Sequence, residues 1–72
     1  MSSRLQRLVA ELIDNGIRLD QAMRELERQF ILVALERHRG NRSRAARSLG
    51  IHRNTLNHKI QNHRIPADGA KG

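Results

Sequence analysis

The sequence contains no cysteine, and its longest uninterrupted apolar run is the six residues from Phe30 to Leu35. Without cysteine the chain can form neither a disulfide nor a thiolate metal site, which fits a reducing compartment. The apolar run is too short for a signal peptide or a membrane-spanning helix. A chain of 72 residues also buries only a small core, so oligomerisation is the remaining source of stability. We therefore expect a soluble, cytoplasmic, self-associating protein without a membrane partner.

Acidic residues are nearly absent from the second half of the chain. The net charge of +7 divides into −1 for residues 1–36 and +8 for residues 37–72, where Asp68 is the single acid. Seven of the nine basic residues in this half are arginine, whose planar guanidinium matches phosphate oxygens and the paired acceptors of guanine. A membrane surface would require an apolar face beside the charge, and the arginine-bearing segments have none to spare. The second half therefore predicts a nucleic-acid partner.

Hydrophobic periodicity predicts an all-α fold of four helices. A first amphipathic helix ends at Asn15-Gly16, and a second, longer helix capped by Asp20 runs to about His38. The middle of this second helix is apolar nearly all round, and the rest of one chain is too small to cover it. We therefore predict a homodimer with a core built from the first two helices of both copies. The predicted interface residues are Leu5, Leu8, Val9, Leu12, Met23, Leu26, Phe30, Ile31, Val33 and Ala34.

Residues 40–65 have the spacing of a helix-turn-helix. Ala46 is small enough for a second helix to cross close to the first, and Gly50 can end the first helix in the left-handed conformation. Leu56 and Ile60 then close the core beneath the two helices. A second helix placed in this way would enter the major groove of duplex DNA.

Cap residues mark the starts of these two helices. Asn41 is the predicted N-cap of the first, and either His52 or Asn54 starts the second. Within one compact domain we expect dimerisation helices over residues 1–39, the helix-turn-helix unit over residues 40–65, and a disordered tail over residues 66–72.

Residues 41–56, NRSRAARSLGIHRNTL, resemble the signature of the Fis-type helix-turn-helix, and the likeness extends from about Leu26 to Ile65. It implies a bacterial, homodimeric DNA-binding protein, free-standing because 72 residues leave no room for an attached ATPase or receiver domain. Members of this type bend their DNA and serve as transcription regulators or nucleoid-associated proteins. Their recognition helices lie closer together than one turn of straight DNA, so part of their specificity is indirect.

The resemblance also implies roles for single residues. Arg53 lies where the family has an arginine that reaches guanine in the major groove. His52 occupies a capping position that can touch base or phosphate, and Thr55 matches a threonine that binds the DNA backbone. Free N–H groups and side chains at the start of the first helix are expected to face phosphates. The predicted DNA-binding residues are Asn41, Arg42, Ser43, Arg44, His52, Arg53, Asn54, Thr55, Asn57, His58 and Lys59.

The chain departs from the family pattern at several positions. Well-known members are richer in lysine and arginine on the recognition helix, where this chain has Asn57, His58, Gln61 and Asn62, and this predicts lower affinity or greater salt sensitivity. Arg64 precedes Ile65 where the family commonly has glycine.

The sequence gives little support to functions other than DNA binding. No two of the histidines at 38, 52, 58 and 63 have the spacing that places metal ligands on one helical face, so we expect surface or groove residues and no metal. No acid, base or nucleophile groups cluster, so we expect no enzyme, cofactor or small-molecule ligand. The remaining alternative is a small dimeric helical adaptor that docks an acidic protein, which the salt response and duplex competition would distinguish from a DNA-binding protein.

Overall fold

The computed structural model describes residues 3–66, which form four helices and no strand. The helices are α1 (Ser3–Asp14), α2 (Leu19–Arg37), α3 (Arg42–Leu49) and α4 (Arg53–Asn62). The predicted all-α class and the order of the helices are confirmed. Most of the predicted tail, residues 67–72, lies outside the described residues.

Helix α1 is amphipathic, but none of its residues is buried. Its apolar stripe includes Leu8 and Ile13, which are 50% and 67% exposed, and continues past the helix end to Ile17. The helix ends as the Asn15-Gly16 pair predicts, because Gly16 takes a left-handed conformation with φ 76. The backbone N–H of Ile17 then donates to the carbonyl of Leu12 at 2.9 Å. The described chain therefore leaves the apolar face of α1 open.

Helix α2 begins at Leu19, one residue before the predicted cap. Arg18 is the N-cap in an extended conformation, and its backbone N–H donates to Oε1 of Gln21 at 3.1 Å. Asp20 lies inside the first turn, where its Oδ1 accepts from the backbone N–H of Gln21 at 2.9 Å. The prediction of Asp20 as cap was wrong because Gln21 supplies the acceptor that fixes the entering chain. The Asp20 carboxylate still faces the positive end of the helix dipole.

The core joins one face of α2 to the helix-turn-helix unit. Ile31 on α2 and Leu56 on α4 are the largest fully buried side chains, at 1% and 0% exposure. Burial of each stabilises the fold by about 1.5–3 kcal/mol. The remaining core residues are Ala34, Leu35, Ala45, Ala46, Ile60 and Ile65.

Two predicted dimer residues belong to this single-chain core. Ile31 and Ala34 are buried against α3 and α4, so they are unavailable as an exposed interface. The other side of α2 remains open, with Phe30 at 56% and Val33 at 43% exposure. Because α2 is apolar on both sides, its periodicity could not indicate which side faces the same chain.

Candidate nucleic-acid interface

The predicted cap residues lie at the ends of α3 and α4, and Gly50 and His52 bound the turn between the two helices. Oδ1 of Asn41 accepts from the backbone N–H of Arg44 at 3.0 Å, which confirms Asn41 as the N-cap of α3. Gly50 follows α3 with φ 74, and the N–H of Ile51 donates to the carbonyl of Ala46 at 3.0 Å. Of the two candidates at the start of α4, His52 is the N-cap. Its Nδ1 accepts from the N–H of Asn54 at 3.3 Å.

Alanines bring α3 and α4 close together. Ala45 and Ala46 are fully buried beside Leu56, since a larger side chain on α3 would push α4 away. The opposite side of α4 stays open, and the side chains at its N-terminal turn are exposed. These are His52, Arg53, Asn54 and Thr55. This turn presents one base-reading candidate, Arg53, and polar groups that can bond to base edges or phosphates.

The start of α3 presents a second exposed polar group. Asn41, Ser43 and Arg44 are exposed, whereas Arg42 is half-buried. Nη1 of Arg42 donates to Oδ1 of Asn57 at 2.9 Å, across the gap between α3 and α4. This contact joins two predicted DNA-binding residues and links the start of α3 to the middle of α4. A guanidinium has five N–H donors, so the remaining donors of Arg42 stay available for phosphate.

Lys59, another predicted DNA-binding residue, contacts α2. Its Nζ lies 3.0 Å from Oε1 of Glu27, and Nε2 of His63 lies 3.1 Å from the same oxygen. These two donors, Lys59 first, hold the pKa of Glu27 below its ordinary value. His63 is buried, so the expectation of a surface or groove position was wrong for it. His58, by contrast, is exposed.

Sequence reasoning missed the α2 residues that hold α4. Glu27 binds Lys59 and His63, and Nη2 of Arg24 donates to the carbonyl of Asn62 at 3.0 Å. The partners are more than 30 residues apart in the chain, so no helical spacing connects them.

The open side of α2 carries most of the other predicted dimer residues. Met23, Leu26, Phe30 and Val33 are exposed, and they line two adjoining grooves of about 410 and about 390 Å³. Leu26, Phe30 and Leu49 line both grooves. On α1, Leu5, Leu8 and Val9 are exposed and Leu12 is half-buried. Exposed apolar stripes therefore lie on α1 and on the open side of α2, separate from the exposed turn of α4.

Residues 3–66 form neither a metal-binding group nor a membrane-spanning helix. No three histidine, aspartate or glutamate side chains of this range are placed to hold a metal ion. None of its helices is both long enough and apolar enough to cross a membrane.

Comparison with known proteins places the helix-turn-helix in a family. The profile of the family described as bacterial regulatory protein, Fis family, matches residues 22–63. Over 47 residues, 65% of this chain, the sequence is 47% identical to the DNA-binding transcriptional regulator NtrC of Azospirillum brasilense and covers 10% of it. Over 40 residues, 56% of this chain, it is 52% identical to the transcriptional regulatory protein y4pA of Sinorhizobium fredii and covers 7% of it. The chain thus spans about a tenth or less of the length of these relatives. No solved structure matches it.

Proposed function

Because the chain belongs to the Fis family of bacterial regulatory proteins, we propose that it binds duplex DNA through α3 and α4 and regulates transcription. The observation that carries this proposal is the acid-free, exposed surface of the helix-turn-helix. Residues 37–66 contain no aspartate or glutamate, while Arg44 and Arg53 are exposed at the starts of the two helices. A surface of this charge attracts phosphates, and its arginines match guanine.

In this proposal α4 is the recognition helix and lies in the major groove. Arg53, the first residue of α4, donates to the O6 and N7 acceptors of a guanine. His52 and Thr55 contact base or backbone beside it, and Asn54 and His58 extend the same exposed surface. The start of α3, with Ser43 and Arg44, contacts phosphates and sets the orientation of α4.

We propose that the DNA-binding form is a homodimer. Single exposed apolar residues are ordinary, but a stripe that runs along α1 and the open side of α2 marks an interaction surface. A second copy of the chain supplies a matching stripe, and a two-fold interface places the same patch on both copies. Two recognition helices then read two half-sites, and the resemblance to Fis-type proteins implies that the DNA bends between them.

Transcription regulation and nucleoid association differ in the specificity ratio for DNA sequence. Both relatives are named as transcriptional regulators, and this favours sequence-selective regulation for the present chain. A regulator prefers its site strongly over random duplex, whereas a nucleoid-associated packer does not. We propose the cytoplasmic nucleoid as the site of action in either case.

The test is a fluorescence-anisotropy titration of a labelled duplex long enough for a dimer, repeated at several salt concentrations with unlabelled random duplex as competitor. We expect submicromolar binding that weakens steeply with salt, and incomplete competition by random duplex. Arg44→Ala removes a proposed phosphate contact and should weaken binding to all duplexes alike and lower the salt dependence. Its matched control is Arg7→Ala, which removes the same charge from exposed α1 and should preserve the salt dependence. Unchanged anisotropy at low salt would refute DNA binding and favour an adaptor for an acidic protein.

A further inference from the structure

A polar cluster of Arg24, Glu27, Lys59 and His63 joins α2 to the recognition helix. The C-terminal half of α4 is held through long side chains across the groove of about 410 Å³ that these four residues help to line. Glu27 is central to the cluster because one of its oxygens accepts from both Lys59 and His63. The cluster therefore fixes how the recognition helix lies against α2.

Burial makes this arrangement specific. The His63 side chain is only 5% exposed, and its Nδ1 has no hydrogen-bond partner among the described residues. Its other nitrogen, Nε2, lies 3.1 Å from Oε1 of Glu27. Without Glu27 the buried ring would have no hydrogen-bond partner within residues 3–66, and an unsatisfied buried polar group destabilises the fold. Loss of Glu27 would thus leave His63 unsatisfied and release Lys59 at the same time.

The contact also changes the charge that α4 offers to DNA. An ammonium 3.0 Å from a carboxylate forms a charge-assisted hydrogen bond, and the carboxylate offsets part of its charge. Phosphate contacts contribute to the salt dependence of binding only when a free cation replaces condensed counterions. Lys59 and Arg53 are the two lysine or arginine residues on α4. The pairing of Lys59 with Glu27 should therefore change the salt dependence of DNA binding measurably.

We propose that Glu27 is a positioning residue for DNA recognition, which holds Lys59 and His63 against α2 so that Lys59 supports α4 instead of neutralising a phosphate. This inference rests on the proposed DNA binding. It assigns Lys59 a different role from the direct DNA contact that the sequence predicted. It also makes Glu27 a residue that limits the salt dependence of binding, since its removal leaves Lys59 with an unpaired charge near the DNA.

The experiment measures the slope of log affinity against log salt for the full chain and its variants on one duplex. Glu27→Gln removes the carboxylate charge that pairs with Lys59, although its amide oxygen can still accept a hydrogen bond, so the slope should steepen by up to about 0.9 per chain. This corresponds to about a three- to fourfold larger loss of affinity per chain between about 50 and about 200 mM salt. The matched control is Glu25→Gln, which removes the same charge from α2, where the carboxylate accepts from Gln29 on the same helix at 2.8 Å. Its slope should stay at the wild-type value.

The double variant Glu27→Gln/Lys59→Met conserves the net charge and separates the alternatives. If Lys59 pairs with Glu27 and not with a phosphate, the double variant keeps the wild-type slope. A slope lowered by about 0.9 per chain would show that Lys59 contacts DNA and would overturn the proposal. Equal slopes for Glu27→Gln and Glu25→Gln would overturn it as well.

Two further variants keep the proposal testable if Glu27→Gln does not fold. Lys59→Met alone should leave the slope nearly unchanged, whereas Arg44→Ala should lower it. Equal reductions by both variants would refute the role given to Lys59. Absence of salt-dependent binding by the wild type would instead refute the proposed function.

Discussion

Replacing Arg64 by glycine should stabilise the fold relative to alanine at the same position. Arg64 follows α4 with φ 54, and the N–H of Ile65 donates to the carbonyl of Ile60 at 3.0 Å. A side chain in this left-handed region costs about 1–2 kcal/mol, which glycine avoids. Glycine in turn gives the unfolded chain more conformational freedom, which lowers the free energy of unfolding by about 0.4–1 kcal/mol. Both variants remove the same charge, so their difference of about 1 kcal/mol in favour of glycine isolates the backbone conformation.

Thermal and urea unfolding followed by circular dichroism, at one fixed protein concentration, measure this difference. For a domain of this size, about 1 kcal/mol corresponds to a shift of about 4–8 °C in Tm. The matched control is the same pair of substitutions at Gln61, an exposed residue inside α4. There alanine should be the more stable by about 0.5–1 kcal/mol, because glycine disfavours a helix interior. If the alanine variant at position 64 is at least as stable as the glycine variant, the residue after α4 does not have the left-handed conformation.

Three other perturbations test the interface, the dimer and the polar cluster. Arg53→Ala should cost about 1–3 kcal/mol at the preferred duplex and relax sequence selectivity in the anisotropy assay; equal weakening on preferred and random duplexes would remove its base-reading role. Phe30→Asp places a charge on the proposed dimer surface and should raise the dimer dissociation constant more than about a hundredfold in sedimentation equilibrium, since an unpaired buried carboxylate costs several kcal/mol. Gln29→Asp is its charge-matched control on the same helix, and a Phe30→Asp dimer of wild-type affinity would contradict the interface. Because Lys59 and His63 lower the pKa of Glu27 from 4.5, its contacts contribute fully above that value and are lost as pH falls through the lowered pKa. The urea midpoint should thus fall more for wild type than for Glu27→Gln between about pH 6 and about pH 3, and parallel curves would argue against the cluster.

Local signals in the sequence were sufficient to predict the helix-turn-helix. Asn41 as a cap, Gly50 as a left-handed helix end and Ala46 as a close-contact residue each act within a few residues of the chain. Their physical requirements are steric or involve one hydrogen bond, so the residue type alone reveals them. The same kind of local signal gave the wrong cap residue for α2. Asp20 is a good cap residue, but the neighbouring Gln21 supplies the acceptor used by the backbone.

Contacts between helices could not be predicted in this way. The bonds of Arg42 to Asn57 and of Glu27 to Lys59 join residues that no helical period relates. A charged residue on an exposed helix carries no signal in sequence for which distant partner it meets. The assignment of Lys59 to DNA therefore rested on its helix alone. The structure shows that Lys59 has an oppositely charged partner on α2, Glu27.

In the proposed dimer, α2 sets the distance between the two recognition helices. One side of α2 buries Ile31 against the helix-turn-helix, while the other exposes Phe30 to the proposed partner. The connection to α3 is closed by hydrogen bonds from the N–H of Gly40 to the carbonyl of Leu35 at 2.8 Å and from the N–H of Asn41 to that of His38 at 2.9 Å. A short, hydrogen-bonded connection of this kind leaves little freedom to adjust half-site spacing. A duplex whose half-sites do not match that spacing must therefore deform, and its sequence-dependent stiffness contributes to selectivity.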